Sequence, residues 1–303
     1  MRSAIITTYQ SEKTIGHSLE SIKDIVDSVC VVDGRWKKYP NQTSTVIMPD
    51  KIDEDQAYVK LVESIESVIP NFSVDNTLEI CESYKNKFKH FHIIQNKERI
   101  YELDARAQAL RYILSMSEKS SWIYLIDSDE MWTDSLKKEI IDIEKQHLAD
   151  FPYRIKMRAK NFVNLNRFYY STYMRGFKNC SMLCDFFSHC NTIPFYDRLP
   201  VSTEYYVDEK IPHNFWKATN KSCDIEQWLS VGDINTKSYF LHYTIHSLSS
   251  NLLKSLCYGS FGIKSFLENV KKENNNSVIE YYGATRQLEE QQSLELLELG
   301  FKD

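Results

Sequence analysis

The first 130 residues alternate between short apolar runs and longer segments in which apolar side chains recur at helical spacing. The predicted strands lie at residues 4–8, 28–32, 91–94 and 122–126, and the predicted helices lie at 12–24, 76–87 and 102–116. Strands that alternate with helices of this length indicate an α/β fold with a mostly parallel central sheet flanked by helices. In such sheets, ligands bind beyond the carboxyl ends of the strands.

The composition narrows the functional classes. The chain has 303 residues, of which 42% are hydrophobic and 26% are charged, as in an ordinary globular protein. Its formal net charge of -5 disfavours a protein held to nucleic acid mainly by phosphate contacts. The 8 glycines form neither a G-x-G-x-x-G nor a Walker-type loop, which excludes the commonest glycine-rich phosphate cradles.

Nothing in the sequence predicts export or membrane insertion. The N-terminal segment turns polar at Thr7, too early for a signal peptide, and no apolar run approaches the ~18–20 residues of a membrane helix. We therefore expect a cytoplasmic protein whose 7 cysteines are reduced thiols. Cys180, Cys184, His189 and Cys190 lie close in sequence, but adjacent side chains point in different directions, so buried thiols are favoured over a zinc site.

Two segments depart from the alternating pattern. Residues 35–72 contain several turn signals, and we interpret them as an insertion or long loop. Apolar residues return to helical spacing after residue 249, which predicts an α-rich C-terminal extension. The expected organisation is one α/β domain over 1–248, interrupted by the insertion, with a helical extension over 249–303.

Three of the predicted strands end in polar side chains. Thr7-Thr8-Tyr9 ends the first strand, Asp33 follows the second, and Asp127-Ser128-Asp129-Glu130 follows the fourth. Crowded acids repel one another unless a proton or a cation lies among them, and Mg²⁺ or Mn²⁺ would share such oxygen ligands with substrate phosphates. The alternative is an acidic helix N-terminus, because a helix is predicted to begin near Asp134.

Five motifs in the expected order resemble those of family 2 glycosyltransferases with the GT-A fold. The resemblance covers residues 3–130 and a short stretch near 240–258. The motifs are Thr7-Thr8-Tyr9 followed by Ser18-Leu19-Glu20-Ser21-Ile22; Val31-Val32-Asp33-Gly34 with Ser73-Val74-Asp75-Asn76-Thr77-Leu78-Glu79-Ile80; Ala105-Arg106-Ala107-Gln108-Ala109; Leu125-Ile126-Asp127-Ser128-Asp129-Glu130; and Leu241-His242-Tyr243 followed by Ser250 and Lys254.

The sequence departs from the family pattern at two places. The segments around Asp33 and Ser73 usually lie nearly side by side, whereas residues 35–72 separate them here. Ala107 stands where the family usually has asparagine. The resemblance implies that residues 1–130 bind a nucleotide-sugar and that 131–248 bind an acceptor, although 151–235 resemble the family least.

For the nucleotide, the resemblance implies contacts from Thr7, Thr8, Tyr9 and Asp33. Asp33 would accept a hydrogen bond from a uracil-type N–H. Arg106 would support the site by pairing with an acid rather than by reacting.

For the diphosphate, the resemblance implies a second set of residues. Asp127 would contact the ribose or a metal ion, and Ser128 would contribute to donor binding beside it. Asp129 and His242 would coordinate the metal, and Lys254 would contact the leaving phosphate. The alternative for His242 is an ordinary hydrogen-bonded core histidine.

The implied reaction moves a sugar from its donor to an acceptor hydroxyl with inversion, and a uridine diphosphate sugar is the favoured donor. Mn²⁺ or Mg²⁺ would stabilise the charge on the leaving diphosphate. A carboxylate base is expected about 3 Å from the acceptor hydroxyl. Asp208 and Glu209 are the favoured candidates, ahead of Glu204 and Asp197; the alternative is that these acids are solvated surface residues.

The sequence does not identify the acceptor, which is a saccharide, a lipid-linked sugar, a protein side chain or a modified nucleobase. Arg154, Lys156, Arg158 and Lys160 would share one face of a strand and form a basic strip for a nucleic acid, although a solvated edge explains them equally well. The alternative function is a catalytically inactive GT-A-like binding module. A nucleotidyltransferase is disfavoured because residues 7–13 contain no glycine.

Overall fold

The structure is a computed structural model that describes residues 1–35, 68–100, 102–164, 166–181, 215–220, 225–243, 278–281, 284–287, 289–290 and 294–300. Within these ranges the chain forms an α/β fold around a 9-stranded sheet. Two hydrophobic clusters cover the opposite faces of this sheet. The α/β class expected from the sequence is confirmed.

The first half of the sheet contains four parallel strands in the order β3-β2-β1-β4. Every residue of β2 is buried, because apolar layers cover both of its faces. All four predicted strands are confirmed. Their bounds are Arg2–Thr8 for β1, Ser28–Asp33 for β2, His90–Gln95 for β3 and Trp122–Asp127 for β4.

Three predicted helices flank this half of the sheet and are also confirmed. They are α1 over Ile15–Ile22, α2 over Thr77–Ser83, which continues into a 3-10 helix at Lys85–Lys87, and α3 over Glu102–Ser115. Leu19 of α1 packs in one apolar layer with Val31, whereas Ala105 of α3 packs in the opposite layer with Val32. Alternate residues of β2 therefore serve the two layers.

The second half of the sheet has mixed strand directions. β7 runs antiparallel to β4 and to β6, β6 pairs in parallel with β10, and β5 closes the edge antiparallel to β10. The sheet thus has an entirely parallel half, as expected, and a half with antiparallel pairs. Its elements are β5 Glu130–Trp132, α4 Asp134–Gln146, β6 Tyr153–Asn164, β7 Arg167–Lys178 and β10 Gly232–Tyr243, with a separate hairpin of β8 Phe215–Asn220 and β9 Ile225–Ser230.

The insertion expected at 35–72 is described only at its two ends. The backbone N–H of Arg35 donates to the carbonyl of Asn71 at 2.7 Å, so the chain leaves and returns at one place. Residues 36–67 lie outside the described part of the chain.

The C-terminal segment 249–303 is less helical than expected in the parts that the structure describes. Among the described residues of this segment, α5, Leu294–Glu298, is helical and contains Leu294 and Leu297 of the predicted leucine spacing. Leu252, Leu253 and Leu256 lie outside the described residues. β-Branched side chains fit the pleated surface of a sheet and therefore favour strands. Val278, Ile279 and Thr285 are of this type. These residues form β11 Val278–Tyr281 and β12 Ala284–Gln287, and β13 Glu289–Glu290 pairs with β7. No helix among the described residues is long and apolar enough to span a bilayer.

Candidate functional site

The candidate site lies beyond the carboxyl ends of β1, β2 and β4, which are neighbours in the sheet. The strand register pairs Thr7 with Asp127 and Thr8 with Asp33. Three polar strand ends that are 25 residues or more apart in sequence therefore meet at one edge. The acids at 127–130 extend from the last residue of β4 to the first residue of β5, and α4 begins only at Asp134, so they do not form the first turn of a helix.

Asp127 is held by two arginines. Arg106 of α3 donates to Oδ1 at 2.9 Å, and Arg175 of β7 donates to Oδ2 at 2.5 Å. Thr7 adds a hydrogen bond to Oδ1 at 3.2 Å. Burial raises the pKa of this carboxyl, but the guanidinium groups of Arg175 and Arg106 outweigh that effect and lower its pKa below the ordinary value. Asp127 is thus held ionised, and its side chain is still 27% exposed.

Glu130 lies directly behind Asp127 and is fully buried. Its carboxylate accepts from Nε of Arg175 at 3.0 Å and from the backbone N–H of Asp127 at 3.3 Å. Burial outweighs the attraction of Arg175 and raises the pKa of Glu130 to about 7. Nη2 of Arg175 donates to both Asp127 and Glu130, so this arginine joins two acids of the same motif.

Asp129 faces His242 of β10. The register of β5 and β10 places His242 opposite Glu130, and the Tyr243 N–H donates to the Asp129 carbonyl at 3.0 Å. These contacts bring Nε2 of His242 to 3.5 Å from Oδ1 of Asp129, with both side chains largely buried. Residues more than 110 positions apart in sequence thus form one pair.

A divalent cation fits this pair better than it fits Asp127. Two ligand atoms of one cation, each about 2.1 Å from it, lie about 3.0–3.6 Å apart at angles of roughly 90–120°. The 3.5 Å separation of the Asp129 and His242 atoms is within this range, whereas both Asp127 oxygens already accept from arginines. The described residues contain no group of three or more His, Cys, Asp or Glu side chains suited to a metal.

Asp33 is more enclosed than the sequence indicated. Both of its oxygens accept hydrogen bonds from Ser73, one from the hydroxyl at 2.6 Å and one from the backbone N–H at 3.0 Å. Burial raises its pKa, and the bonds from Ser73 oppose that rise. A carboxylate has about four acceptor positions, so the capacity to accept from a base remains, although the side chain has no exposed surface in this structure.

The loop after β1 is fastened to the segment that follows the insertion. The Tyr9 hydroxyl donates to the Pro70 carbonyl at 2.6 Å, and the Gln10 N–H donates to the Ser73 hydroxyl at 2.7 Å. Gln10 has a φ of 49°, a left-handed conformation that is uncommon for a side chain without a special constraint. Tyr9 is therefore engaged with the protein in this structure.

Ser128 and Thr8 have different surroundings. The Ser128 hydroxyl lies 2.8 Å from that of Ser11, which ties the acidic motif to the first loop. The Thr8 hydroxyl is buried and has no hydrogen-bond partner within the described part of the chain. Of the predicted donor-binding residues, Thr7 and Arg106 thus meet at Asp127, whereas Thr8 does not join them.

Several predicted residues lie outside the described ranges. They are the candidate bases Asp208 and Glu209, with Glu204 beside them and Asp197, the phosphate-binding candidate Lys254, and Cys184, His189 and Cys190. Cys180 is described, and it is a buried free thiol.

The expected basic strip on β6 is largely internal. Arg154 is buried and pairs with Asp233, to which Lys156 also pairs at 3.1 Å. Lys160 is buried with its ammonium group 4.3 Å from the centre of the Phe168 ring. Arg158 is exposed, and its guanidinium group lies 3.9 Å from the centre of the Tyr170 ring. Two of the four side chains, Arg154 and Lys160, are therefore buried, and the strip is only partly exposed.

Sequence reasoning missed two residues of the site, Arg175 and Asn161. Arg175 joins Asp127 to Glu130, and Asn161 lies 2.8 Å from His242. The glycine at position 176, next to Arg175, is an indirect sequence signal for a close approach between strands. A Cβ at Gly176 would lie 2.8 Å from the Tyr124 ring, so β7 approaches β4 closely just beside the arginine.

Residues 67–194 match the family model described as "Glycosyl transferase family 2". This range includes Arg106, Asp127, Asp129, Asn161 and Arg175. No curated relative matches the chain at a significant level of sequence similarity.

The solved structures that this chain matches have low sequence identity to it and TM-scores below 0.5. The structure of S. aureus TarS 1-349 has 16% identity and a TM-score of 0.43, covering 81% of this chain and 61% of that one. A second S. aureus TarS structure has 14% identity and a TM-score of 0.41, covering 84% and 38%. A putative glucose-1-phosphate thymidylyltransferase from Bacillus anthracis, in complex with a sucrose, has 8% identity and a TM-score of 0.40, covering 85% and 96%. The chain thus spans less than two thirds of either TarS chain.

Proposed function

We propose, on the premise that residues 67–194 make this chain a member of glycosyl transferase family 2, that the protein transfers a sugar from a nucleotide-sugar to an acceptor hydroxyl. The favoured donor is a uridine diphosphate sugar. The favoured cofactor is Mn²⁺ or Mg²⁺, and inversion at the anomeric carbon is the favoured outcome.

The observation that carries this proposal is the pair of Asp129 and His242 beyond the end of β4. A carboxylate oxygen and an imidazole nitrogen 3.5 Å apart suit two ligand positions of one divalent cation. The pair lies next to the exposed fraction of Asp127, at the edge where α/β sheets bind nucleotides. A bound cation would stabilise the negative charge on the departing diphosphate as a Lewis acid.

Asp127 would bind the donor rather than the cation. Arg106 and Arg175 fix its orientation and keep it ionised, and its partly exposed oxygens retain acceptor positions for a ribose hydroxyl. This division of roles narrows the expectation from the sequence, in which Asp127 contacts either the ribose or the metal ion and Asp129 coordinates the metal ion.

The nucleotide base would lie over the joined loops at the ends of β1 and β2. Asp33 would accept from a uracil N–H if the Ser73 contacts rearrange when the donor binds, because Ser73 covers both oxygens of the carboxylate. Tyr9 and Gln10 are anchored to the same segment, so the loops would move together.

The acceptor would be a hydroxyl that loses its proton to a carboxylate base as the sugar is transferred. Asp208 and Glu209 remain the candidates for this base. The attack would come from the face opposite the leaving diphosphate, which gives inversion.

The proposal is tested by a thermal-shift panel of nucleoside diphosphates and nucleotide-sugars with and without Mn²⁺. We expect uridine compounds to raise the melting temperature only when Mn²⁺ is present, because ligands that bind the folded state alone stabilise it. Asp129→Ala should remove this shift, whereas Asp134→Asn, which alters an exposed acid nearby, should retain it. No shift with any compound in the presence of Mn²⁺ would contradict the proposal.

Binding alone does not separate a transferase from an inactive module. Release of uridine diphosphate from the best-binding nucleotide-sugar, with water as the acceptor, supplies that distinction. We expect slow release by the wild-type protein that requires Mn²⁺ and is lost in Asp129→Ala.

A further inference from the structure

Behind His242, on the side away from Asp129, lies the buried amide of Asn161. We infer that Asn161 is a positioning residue, which fixes the proton of His242 on Nδ1 and so directs the lone pair of Nε2 at the cation site. This inference rests on the proposed cation-dependent function. It concerns a residue on β6 rather than a ligand of the cation.

The surroundings of Asn161 decide which end of its amide faces the histidine. Its nitrogen donates to the carbonyl of Tyr169 at 3.2 Å and to the hydroxyl of Ser171 at 2.7 Å. A carbonyl can only accept, so the end that faces Tyr169 must be the NH₂ group. The opposite end is therefore the oxygen, which also accepts from the Tyr173 hydroxyl at 3.1 Å.

This amide orientation determines the state of the histidine ring. The Asn161 oxygen lies 2.8 Å from Nδ1 of His242. An amide oxygen has no proton to donate, so a hydrogen bond at this distance requires the proton on Nδ1. In the neutral ring, Nε2 then carries the lone pair, as a metal-binding imidazole nitrogen must.

The strand pairing holds this contact in place. His242 and Asn161 are partners in the parallel register of β10 and β6, and Asn161 has no exposed surface. The ring of Tyr173 packs edge-on against His242, with the ring centres 5.8 Å apart. The imidazole is therefore restrained on two sides while Nε2 faces Asp129.

The resulting pair has two electron-rich atoms, Nε2 of His242 and Oδ1 of Asp129, facing each other at 3.5 Å. Such atoms repel unless a proton or a cation lies between them. Asn161 supplies the Nδ1 partner, so a cation that replaces a proton at this position binds Nε2 without any change of tautomer. Hydrogen bonds of this kind to metal-binding histidines typically contribute 10–100-fold to affinity.

The first test is the ¹⁵N spectrum of the histidine rings in the metal-free protein, well above the ordinary pKa of histidine, with the His242 signals identified by a His242→Gln variant. We expect Nδ1 to carry the proton in the wild-type protein. In Asn161→Ala this preference should be lost. An Nε2-protonated ring in the wild-type protein would overturn the inference, whether or not the protein binds a metal or a nucleotide.

The second test is titration of free Mn²⁺, followed by its electron paramagnetic resonance signal. We expect Asn161→Ala to weaken Mn²⁺ binding about 10–100-fold. Asn161→Asp should retain most of the affinity, because its carboxylate oxygen can still accept from Nδ1. Tyr173→Phe, which removes the other donor to the same oxygen, is the matched control and should change the affinity much less.

The outcomes separate a positioning role from a structural one. Equal losses in Asn161→Ala, Asn161→Asp and Tyr173→Phe would show that the network only supports the fold, and would overturn the inference. Absence of Mn²⁺ binding by the wild-type protein would contradict the proposed cation dependence instead, and the ring spectrum would still decide the role of Asn161.

Discussion

The two halves of the sheet contribute different chemistry to the candidate site. The parallel half ends in acceptors, with Asp33 on β2 and Asp127 on β4. The mixed half supplies partners for such acceptors, because Arg175 on β7 and His242 on β10 reach the same edge from the other side. The acids at positions 127–130 lie at the junction between the two halves.

This difference shows how the repulsion among the acids at positions 127–130 is reduced. Arg175 pairs with both Asp127 and Glu130, whereas Asp129 faces His242. A cation can share Asp129 and Nε2 of His242 as ligands, so the junction of the halves is where the proposed cation site arises.

The largest expected effect on activity comes from replacing Asp129, the acid at that junction. Asp129→Asn should reduce sugar transfer, or release of uridine diphosphate with water as acceptor, by at least about 100-fold, because the leaving charge loses its stabilising partner. The exposed Asp134→Asn variant should retain activity within about two-fold. Activity of Asp129→Asn close to that of the wild-type protein would remove this residue from the site.

The next effect concerns the arginine that crosses between the halves. Arg175→Met removes the guanidinium group that pairs with the buried Glu130. This substitution should lower the free energy of unfolding by about 3–5 kcal/mol in chemical denaturation. Adding Glu130→Gln to this variant should restore part of the loss, because the uncompensated charge is removed. A loss below about 1 kcal/mol would mean that Arg175 does not compensate these acids.

Glu130 also predicts how stability depends on pH. Its pKa is about 7 in the folded protein against an ordinary value of 4.5, so between these values the folded state holds a proton that the unfolded chain has released. The free energy of unfolding should therefore fall as the pH rises through this window, by up to about 1.4 kcal/mol per pH unit, and level off above it. Asp127, whose pKa is lowered, acts in the opposite direction but below its ordinary value of 3.8.

Comparison with Glu130→Gln isolates this contribution from other titrating groups. The pH profile of the wild-type protein minus that of the variant should show the fall. A difference that is flat between about pH 5 and pH 8 would contradict the raised pKa of Glu130.

The smallest effect comes from two neighbouring threonines in the parallel half. Thr7→Val removes a hydrogen bond to Asp127 and should cost about 1–2 kcal/mol of unfolding free energy. Thr8→Val replaces a buried hydroxyl that has no partner among the described residues, so it should cost nothing or stabilise the protein slightly. Equal losses in thermal or chemical denaturation would show that the Thr7 contact is unimportant.

The first half of the fold could be predicted because its signals are local. Buried parallel strands such as β2 are continuous apolar runs, and α1 places Leu19 and Ile22 on one face. In a parallel sheet the carboxyl ends of neighbouring strands lie at one edge. The positions of Asp33 and Asp127 at that edge could therefore be predicted from the sequence. The expected pairing of Arg106 with an acid is also present, at Asp127.

The second half could not be predicted in the same way, because its contacts depend on long-range pairing. Arg175 reaches Glu130 only when β7 pairs with β4 in an antiparallel direction, and Asn161 reaches His242 only through the register of β6 and β10. The strand β5 has only three residues, too few to show an alternating hydrophobic pattern in the sequence. The pairing of Arg154 and Lys156 with Asp233 could not be predicted for the same reason, because β10 brings Asp233 beside them.

The most direct test of the account is the affinity of uridine diphosphate, measured by calorimetry with and without Mn²⁺ in the wild-type protein, Asp129→Ala, His242→Ala and the double variant. The account predicts that Mn²⁺ strengthens binding in the wild-type protein, that either single substitution removes this gain, and that the double variant loses little more. A Mn²⁺-dependent gain that survives in both single variants would contradict the claim that the two halves of the sheet form one cation-dependent donor site.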